Sequence, residues 1–460
     1  MHKFKVKITF LDNYWLQVDT DPYTNSFIRK YFTIFKKGAQ FAQSYKDQNW
    51  DGTIRFYTGT NRLPIGLLQE LLNFCNKNTL IVEYTNSRAT LKPAIYPVDK
   101  NLLSQITLRD YQVDSVNRCL EQGLGIVKIA TGGGKTSIIT ALLKAYANCN
   151  LCLIVANQIN LVMQLRDRMV QYGFPKEEIG IIYGEEKDWK GKKFVVSTIQ
   201  SILNYPEVYK YAEILIVDEV KHNAASSYVE LVKKCPAIVR LGFDATPFTQ
   251  EDQAVDWTIK KCMGDIIYEK TTKDLIDLGL LVRPVIGMIK VENEGKIKTM
   301  DYRNAYKQLI VHNDMRNNMI RKIAEKEDGR ILILIREIEH GRQLQKLIPS
   351  AIFLHGEIDS LERYEEIQNF VNSKDKYVLI GSTIFDEGID FEHGIDAIVI
   401  ASAGKGFRKT VQRLGRALRQ NKKGYVSVYD FYDMRNNYLQ KHSESRYTIY
   451  KSEQHKVTIV

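Results

Sequence analysis

The sequence predicts an α/β protein: two tandem domains with parallel sheets, preceded by a small α+β N-terminal domain. Three observations predict it. The 460 residues are too many for one compact core, and at ~150 residues per domain they make about three. From about residue 105, short continuous apolar runs alternate with helix-like stretches, the pattern of strands buried on both faces by flanking helices. At the start, Phe4, Val6, Ile8 and Phe10 alternate with Lys3, Lys5, Lys7 and Thr9, the period of a half-buried strand. The expected domains are residues 1–100, 101–275 and 276–460.

In the first hundred residues, Phe27, Tyr31, Ile34 and Phe35 fall at helical spacing beside Arg29, Lys30, Lys36 and Lys37. An amphipathic helix with its aromatic side in the core and a solvated basic edge is expected there, with stacking of the rings on bases as the alternative. Trp50-Asp51-Gly52 predicts a tight turn holding a buried tryptophan, and the segment from Lys92-Pro93 to Lys100 reads as a linker. Strand-like runs follow at residues 125–130, 151–156, 193–198, 214–217 and 238–243. They recur at 331–335, 352–354, 377–380, 397–401 and 425–429. No fixed-period repeat or low-complexity tract interrupts them.

Composition excludes several classes. With 44% hydrophobic residues and only 28 Gly and 10 Pro, the chain can fold and is neither fibrous nor disordered. The net charge of +11 divides as +6 over residues 1–100, +9 over 401–460 and −4 between, so basic ends around a mildly acidic middle suggest a polyanion partner. Six scattered cysteines, with Cys149 and Cys152 as a lone CxxC best read as structural, and no secretory start predict a reduced, cytoplasmic protein. No apolar run reaches the ~18–20 residues of a membrane span.

Three segments carry chemistry. Ala130-Thr131-Gly132-Gly133-Gly134-Lys135-Thr136 lies between a strand-like run and the helix-like residues 137–147, the context of a phosphate loop. Consecutive glycines let backbone N–H groups converge on phosphates at a helix N-terminus, Lys135 would meet the β and γ phosphates, and Thr136 would hold Mg²⁺. Ile129 stands where the general pattern has a glycine. The apolar run 214–217 ends in Asp218 and Glu219, one carboxylate to orient the Mg²⁺ shell and one to position or deprotonate the attacking water. In Gln412-Arg413-Leu414-Gly415-Arg416-Ala417-Leu418-Arg419, helical spacing puts Gln412, Arg416 and Arg419 on one face, where guanidiniums can neutralise a transferring phosphate. A basic helix on nucleic acid is the alternative reading of that segment.

Taken in order, these segments resemble the superfamily 2 helicases of the DExH type. Arg109 and Gln112 in Leu108-Arg109-Asp110-Tyr111-Gln112 resemble the family's segment ahead of the phosphate loop, near adenine. Residues 130–136 resemble motif I, with Thr131, Gly132, Gly133, Gly134, Lys135 and Thr136 at the nucleotide. Asn157 and Gln158 resemble motif Ia, Ser197, Thr198 and Gln200 motif Ib, Asp218–Lys221 motif II, and Asp244-Ala245-Thr246-Pro247 motif III. Residues 381–390, with Thr383, Glu387, Gly388 and Asp390, resemble motif V, and 412–419 motif VI.

The resemblance implies two RecA-like domains with ATP and Mg²⁺ in the cleft between them, hydrolysis coupled to motion, and backbone contacts to nucleic acid from Asn157, Gln158, Ser197, Thr198, Gln200 and Thr383. Two residues depart from the pattern. Motif II ends in Lys221 rather than His or Asp, with His222 next, and motif III has Asp244 where Ser or Thr is common. Residues 49–55 and 61–68 narrow the resemblance to phage UvsW-type DNA helicases. That implies an ATP-dependent DNA helicase acting on forks, junctions and R-loops, with DNA and RNA–DNA hybrid as partners, no membrane, and a monomer. A duplex translocase that does not separate strands and an ATP-gated clamp that scarcely hydrolyses are the alternatives, the second permitted by Lys221.

Overall fold

The computed structural model describes residues 5–249, 252–291, 301–382, 394–404, 415 and 418–460. The chain divides into two compact units, Met1–Ile129 with Gly134–Lys270, and Ala130–Gly133 with Thr271–Val460.

The first unit begins with a four-stranded sheet in the order Arg62–Pro64, Trp15–Asp19, Lys5–Phe10, Ile81–Tyr84. The first two pairings are antiparallel and the last is parallel. Val6 and Ile8 are buried, as the alternation requires. The helix Pro22–Tyr31 is capped by Asp21, whose Oδ1 accepts from Thr24 N at 3.0 Å.

This helix is shorter than its sequence spacing suggests, and its aromatic face is turned the other way. Thr33–Phe35 is a strand paired with Thr53–Arg55, so Ile34 and Phe35 are not helical. Ile28 and Phe32, four residues apart, take the core side, which leaves Phe27, Tyr31 and Phe35 46%, 38% and 52% exposed. The expected turn at Trp50 is present, with Gly52 at φ +77° and Trp50 Nε1 donating to Thr53 O at 2.8 Å, but the indole is only half-buried.

The small domain is welded to the first large sheet. Trp257, from the helix Gln253–Met263, enters the N-terminal core, its ring 5.1 Å from Phe32 and 5.5 Å from both Tyr31 and Phe56. Lys260 on the same helix pairs with Glu70 and, at 2.7 Å, with Asp265. A Cβ added to Gly66 would lie 2.0 Å from Lys260 O, so only glycine lets the two backbones approach this closely. Buried Arg240 donates to Asn13 O and stacks on Tyr14, while Arg88 Nη2 donates to Gly123 O at 2.7 Å and Ile238 O at 2.6 Å. The two Arg88 bonds reach carbonyls just before the strands Leu124–Ile129 and Val239–Asp244.

The large sheet has eight strands in the order Glu186–Asp188, Ile179–Tyr183, Phe194–Thr198, Cys152–Ala156, Ile214–Asp218, Val239–Asp244, Leu124–Ile129, Ile266–Lys270. All pairings are parallel except the first. Separate apolar cores cover its two faces, one around Ile139, Ile154 and Phe243 and the other around Val155, Leu215 and Met263, which is why the strands read as unbroken apolar runs. The strand leading to the phosphate loop and the strand ending in Asp218 flank Val239–Asp244, so the three carboxyl ends meet at one edge.

The second unit is a seven-stranded, wholly parallel sheet in the order Ile352–Leu354, Tyr377–Gly381, Arg330–Leu334, Ala397–Ile400, Tyr425–Asp433, Arg283–Val291, Lys456–Ile459. Its interior contains a buried ionic lattice. Arg446 bonds Asp430 bidentately, Nε to Oδ2 at 2.8 Å and Nη2 to Oδ1 at 3.1 Å, and Arg316 Nη1 meets Asp433 Oδ1 at 2.5 Å. Among the described residues, no helix is long and apolar enough to cross a membrane.

Trp257→Ala removes the indole that joins the small domain to the first sheet, and should cost about 3–5 kcal/mol. Urea denaturation checks this, and Trp257→Phe should recover a large part of the loss.

Candidate nucleotide site and nucleic-acid face

The phosphate loop leaves the strand Leu124–Ile129 and closes on itself through Gly133 N donating to Ala130 O at 3.0 Å. Gly132 and Gly134 hold φ at +87° and +76°, left-handed values that a side chain would strain, and Gly134 caps the helix Lys135–Ala145. Gln112 lies on this loop: a Cβ on Gly134 would be 2.4 Å from its Nε2. Its Oε1 accepts from Arg109 N at 2.9 Å, so the segment ahead of the loop and the loop itself are brought together.

Lys135 Nζ reaches Glu219 Oε1 at 3.5 Å, joining motifs 84 positions apart. Lys221 Nζ holds the other oxygen of the same carboxylate, and the Lys221 side chain is only 7% exposed. Asp218 Oδ1 accepts from Glu219 N at 3.0 Å. Fully buried Asp244 accepts from Lys221 N at 2.9 Å through Oδ2 and from Thr246 N at 2.8 Å through Oδ1. Glu219 itself has φ +56° and ψ +54°, a conformation costing on the order of 1 kcal/mol or more for a non-glycine residue. The Asp244 bridge across the next turn is what over-determines it.

The electrostatics follow from crowding three carboxylates and two ammonium groups into a nearly dry space. Burial, against the pull of Lys135 and with Glu219 alongside, pushes the Asp218 carboxyl up to about 6. Burial works against the Lys135 charge, but Glu219, Asp218 and Asp244 together more than offset it and the ammonium is held above its ordinary value. Hard carboxylate oxygen and a threonine hydroxyl at 136 are donors suited to Mg²⁺, and an ammonium beside a glycine-rich helix start suits the phosphate chain. Asp218 and Thr136 would hold the cation, and Lys135 with the loop amides the phosphates.

Of the nucleic-acid contacts expected from the sequence, Gln200 is exposed, and Gln158 caps the helix Ile159–Gln171 from a half-buried position. Asn157 Nδ2 lies 3.1 Å from His222 Nε2, which ties motif Ia to the residue after Lys221. Ser197 is fully buried, and its hydroxyl donates to Ile182 O at 2.7 Å and Thr198 O at 3.0 Å, which fastens neighbouring strands. Thr198 is 5% exposed and caps the short helix Ile199–Ile202. The grip of Lys221 on Glu219 and the bridge from Asp244 were missed in the sequence, where the only signal was an acid ending one more apolar strand. Arg419 lies in the described second unit, whereas Thr383, Glu387, Gly388, Asp390, Gln412 and Arg416 lie outside the described residues.

Three family models match the chain in order: "DNA helicase UvsW, N-terminal" over residues 5–84, "Type III restriction enzyme, res subunit" over 105–249, and "Helicase conserved C-terminal domain" over 313–421. The chain is 24% identical to the ATP-dependent DNA helicase uvsW of Enterobacteria phage T4, covering 97% of each. It is 26% identical to the DNA 3'-5' translocase XPB2 of Sulfurisphaera tokodaii, covering 69% of this chain and 80% of that protein. The crystal structure of T4 UvsW superposes with a TM-score of 0.51 at 21% identity over 99% of both chains, which shows a shared fold.

Because the Asp218 carboxyl is raised from 3.8 to about 6, it carries a proton at lower pH that a hard cation must displace. Stability contributed by this group is present below 3.8 and lost as pH rises through about 6. Mg²⁺-dependent nucleotide affinity should therefore be level above pH ~6 and fall toward tenfold per pH unit below it. Titration with a fluorescent ATP analogue from pH 5 to 8 checks this, and a flat profile would contradict it.

Proposed function

We propose that the chain, which is a superfamily 2 helicase resembling the UvsW type, couples ATP hydrolysis to movement on branched DNA, remodelling forks, junctions and R-loops. It is an ATP-dependent DNA helicase. The observation that carries the mechanism is the placement of Lys135, Asp218, Glu219, Lys221 and Asp244 at the carboxyl edge of one parallel sheet.

When a triphosphate enters, Lys135 exchanges its contact with Glu219 for the phosphates, and the amides of Gly132–Gly134 converge on the same oxygens. Bound Mg²⁺ supplies charge neutralisation on those oxygens. Glu219 is thereby freed on one side only. Lys221 keeps hold of its second oxygen, so the carboxylate stays oriented to accept a proton from the attacking water at the oxygen Lys135 has left. Asp244 keeps the Glu219–Lys221 turn in place throughout.

Branched DNA is favoured by the small N-terminal domain. Pro22, Asn25, Ser26, Arg29, Lys30 and Arg55 are among the residues lining an open cleft of about 540 Å³. Exposed Tyr23, Phe27, Phe35 and Phe41 surround the same elements. Cations for phosphates beside rings for unpaired bases suit a junction where duplex meets single strand. Since Trp257, Lys260 and Arg240 fix this domain to the first sheet, DNA held there stays in register with the motor. The 26% identity to a protein named as a 3'-5' translocase favours a second reading, movement along duplex without strand separation.

Strand displacement on forked DNA separates the two readings. The wild type should displace a strand and hydrolyse ATP faster with forked or four-way DNA than with single strands. Lys135→Ala should lower turnover by roughly 10²-fold or more while DNA affinity is retained. Loss of DNA binding together with turnover, or an ATPase indifferent to branched DNA, would overturn the proposal.

A further inference from the structure

Beyond the strand Arg330–Leu334, the second unit carries a cluster of rings and cations that starts in a small apolar core around Tyr306 and runs out to the surface. Tyr302, from the helix Tyr302–Tyr306, sits at its centre, 6.4 Å from Tyr438, 5.1 Å from His442 and 6.0 Å from Tyr306 between ring centres. Tyr438 and His442 share a face of the helix Asn437–Ser452. The Arg336 guanidinium stacks 5.2 Å from the Tyr306 ring and 5.9 Å from that of Tyr302, and its Nη1 donates to Tyr302 Oη at 2.9 Å.

The cluster is graded from dry to wet. Tyr306 is buried and its hydroxyl has no partner among the described residues. Tyr302 is half-buried, and its hydroxyl donates to Ala403 O at 3.4 Å. Tyr438, the outermost ring, is 52% exposed. Tyr438 thus keeps half its surface in water while it lies edge-to-face against half-buried Tyr302.

Charge identifies the occupant. Arg336 is exposed, and its side-chain contacts are two tyrosines. Of the nearby acids, Asp301 caps its own helix through Arg303 N and Asn304 N, Glu339 is held by His312 at 3.2 Å and Lys307 at 4.0 Å, and Glu337, which acts on Tyr306, forms no ion pair with Arg336. A rigid π face beside a cation that forms no ion pair among the described residues is complementary to a nucleobase and its phosphate, and the +9 charge of residues 401–460 favours the same partner. We propose that Tyr438, supported by Tyr302 and His442, is a stacking platform for one unpaired base of the bound strand, whose phosphate Arg336 holds. The inference rests on the nucleic-acid reading above and adds to backbone contacts a contact with the base itself.

Fluorescence anisotropy of the full chain tests it, with a single-stranded oligonucleotide and an abasic oligonucleotide of the same length and charge. Tyr438→Ala should weaken the base-bearing strand about tenfold, leave the abasic strand unchanged, and keep the ATPase measured without DNA at the wild-type level. Tyr438→Phe, which retains the ring, should bind as the wild type. Arg336→Ala should weaken both oligonucleotides alike. Equal losses on both strands from Tyr438→Ala, or none on either, would overturn the platform. A wild type that binds no DNA would sink the proposed function itself.

Discussion

The first unit depends on keeping Asp218, Glu219 and Asp244 close together at the end of one sheet without letting their repulsion open it. Burying a single carboxylate without a partner is prohibitively costly, and three are tolerable here because Lys135 and Lys221 pair with Glu219 while backbone N–H groups bond Asp218 and both oxygens of Asp244. The balance is incomplete, with one more carboxylate than ammonium, and Asp218 records it in a carboxyl pushed up to about 6 by burial. Under the proposed function, a cation and a phosphate chain would take over part of this mutual pairing.

Lys221 explains how this site differs from the pattern it resembles. In place of an imidazole, an ammonium on a flexible stem reaches back to the glutamate two residues earlier, while its own backbone is fixed to Asp244. The two departures noted in the sequence, at 221 and 244, are therefore one structural solution. His222, the next residue, takes a different partner in Asn157 and so joins the nucleotide edge to the segment expected to meet nucleic acid.

Much of the fold was legible because parallel strands buried on both faces have unbroken apolar runs, and all ten runs noted in the sequence are strands. Strands with weaker signals were not foreseen: Arg283–Val291 contains a proline and alternates, and Lys456–Ile459 is a mostly exposed edge. The helix near residue 30 misled because its aromatic spacing suits a core stripe, yet Ile28 and Phe32 occupy the core. The phosphate loop and Asp218-Glu219 were readable because each is contiguous. What was illegible is long-range. Asn13 and Arg240 lie 227 positions apart, and Glu70 and Lys260 lie 190 apart. Nothing near Trp257 in the chain announces that it fills another domain's core. The full burial of Ser197 was likewise not readable, because burial by neighbouring strands leaves no local mark.

In the mechanism proposed, Glu219, steadied by Lys221 and released by Lys135, activates the attacking water. Measuring steady-state ATP turnover and nucleotide binding side by side for Glu219→Gln tests it most directly. The expected result is a fall in kcat of roughly 10²–10⁴-fold, the range for general base catalysis, with ATP bound at least as tightly as before, since a neutral amide no longer repels the phosphates. Turnover close to wild type, or a loss confined to ATP affinity, would contradict it.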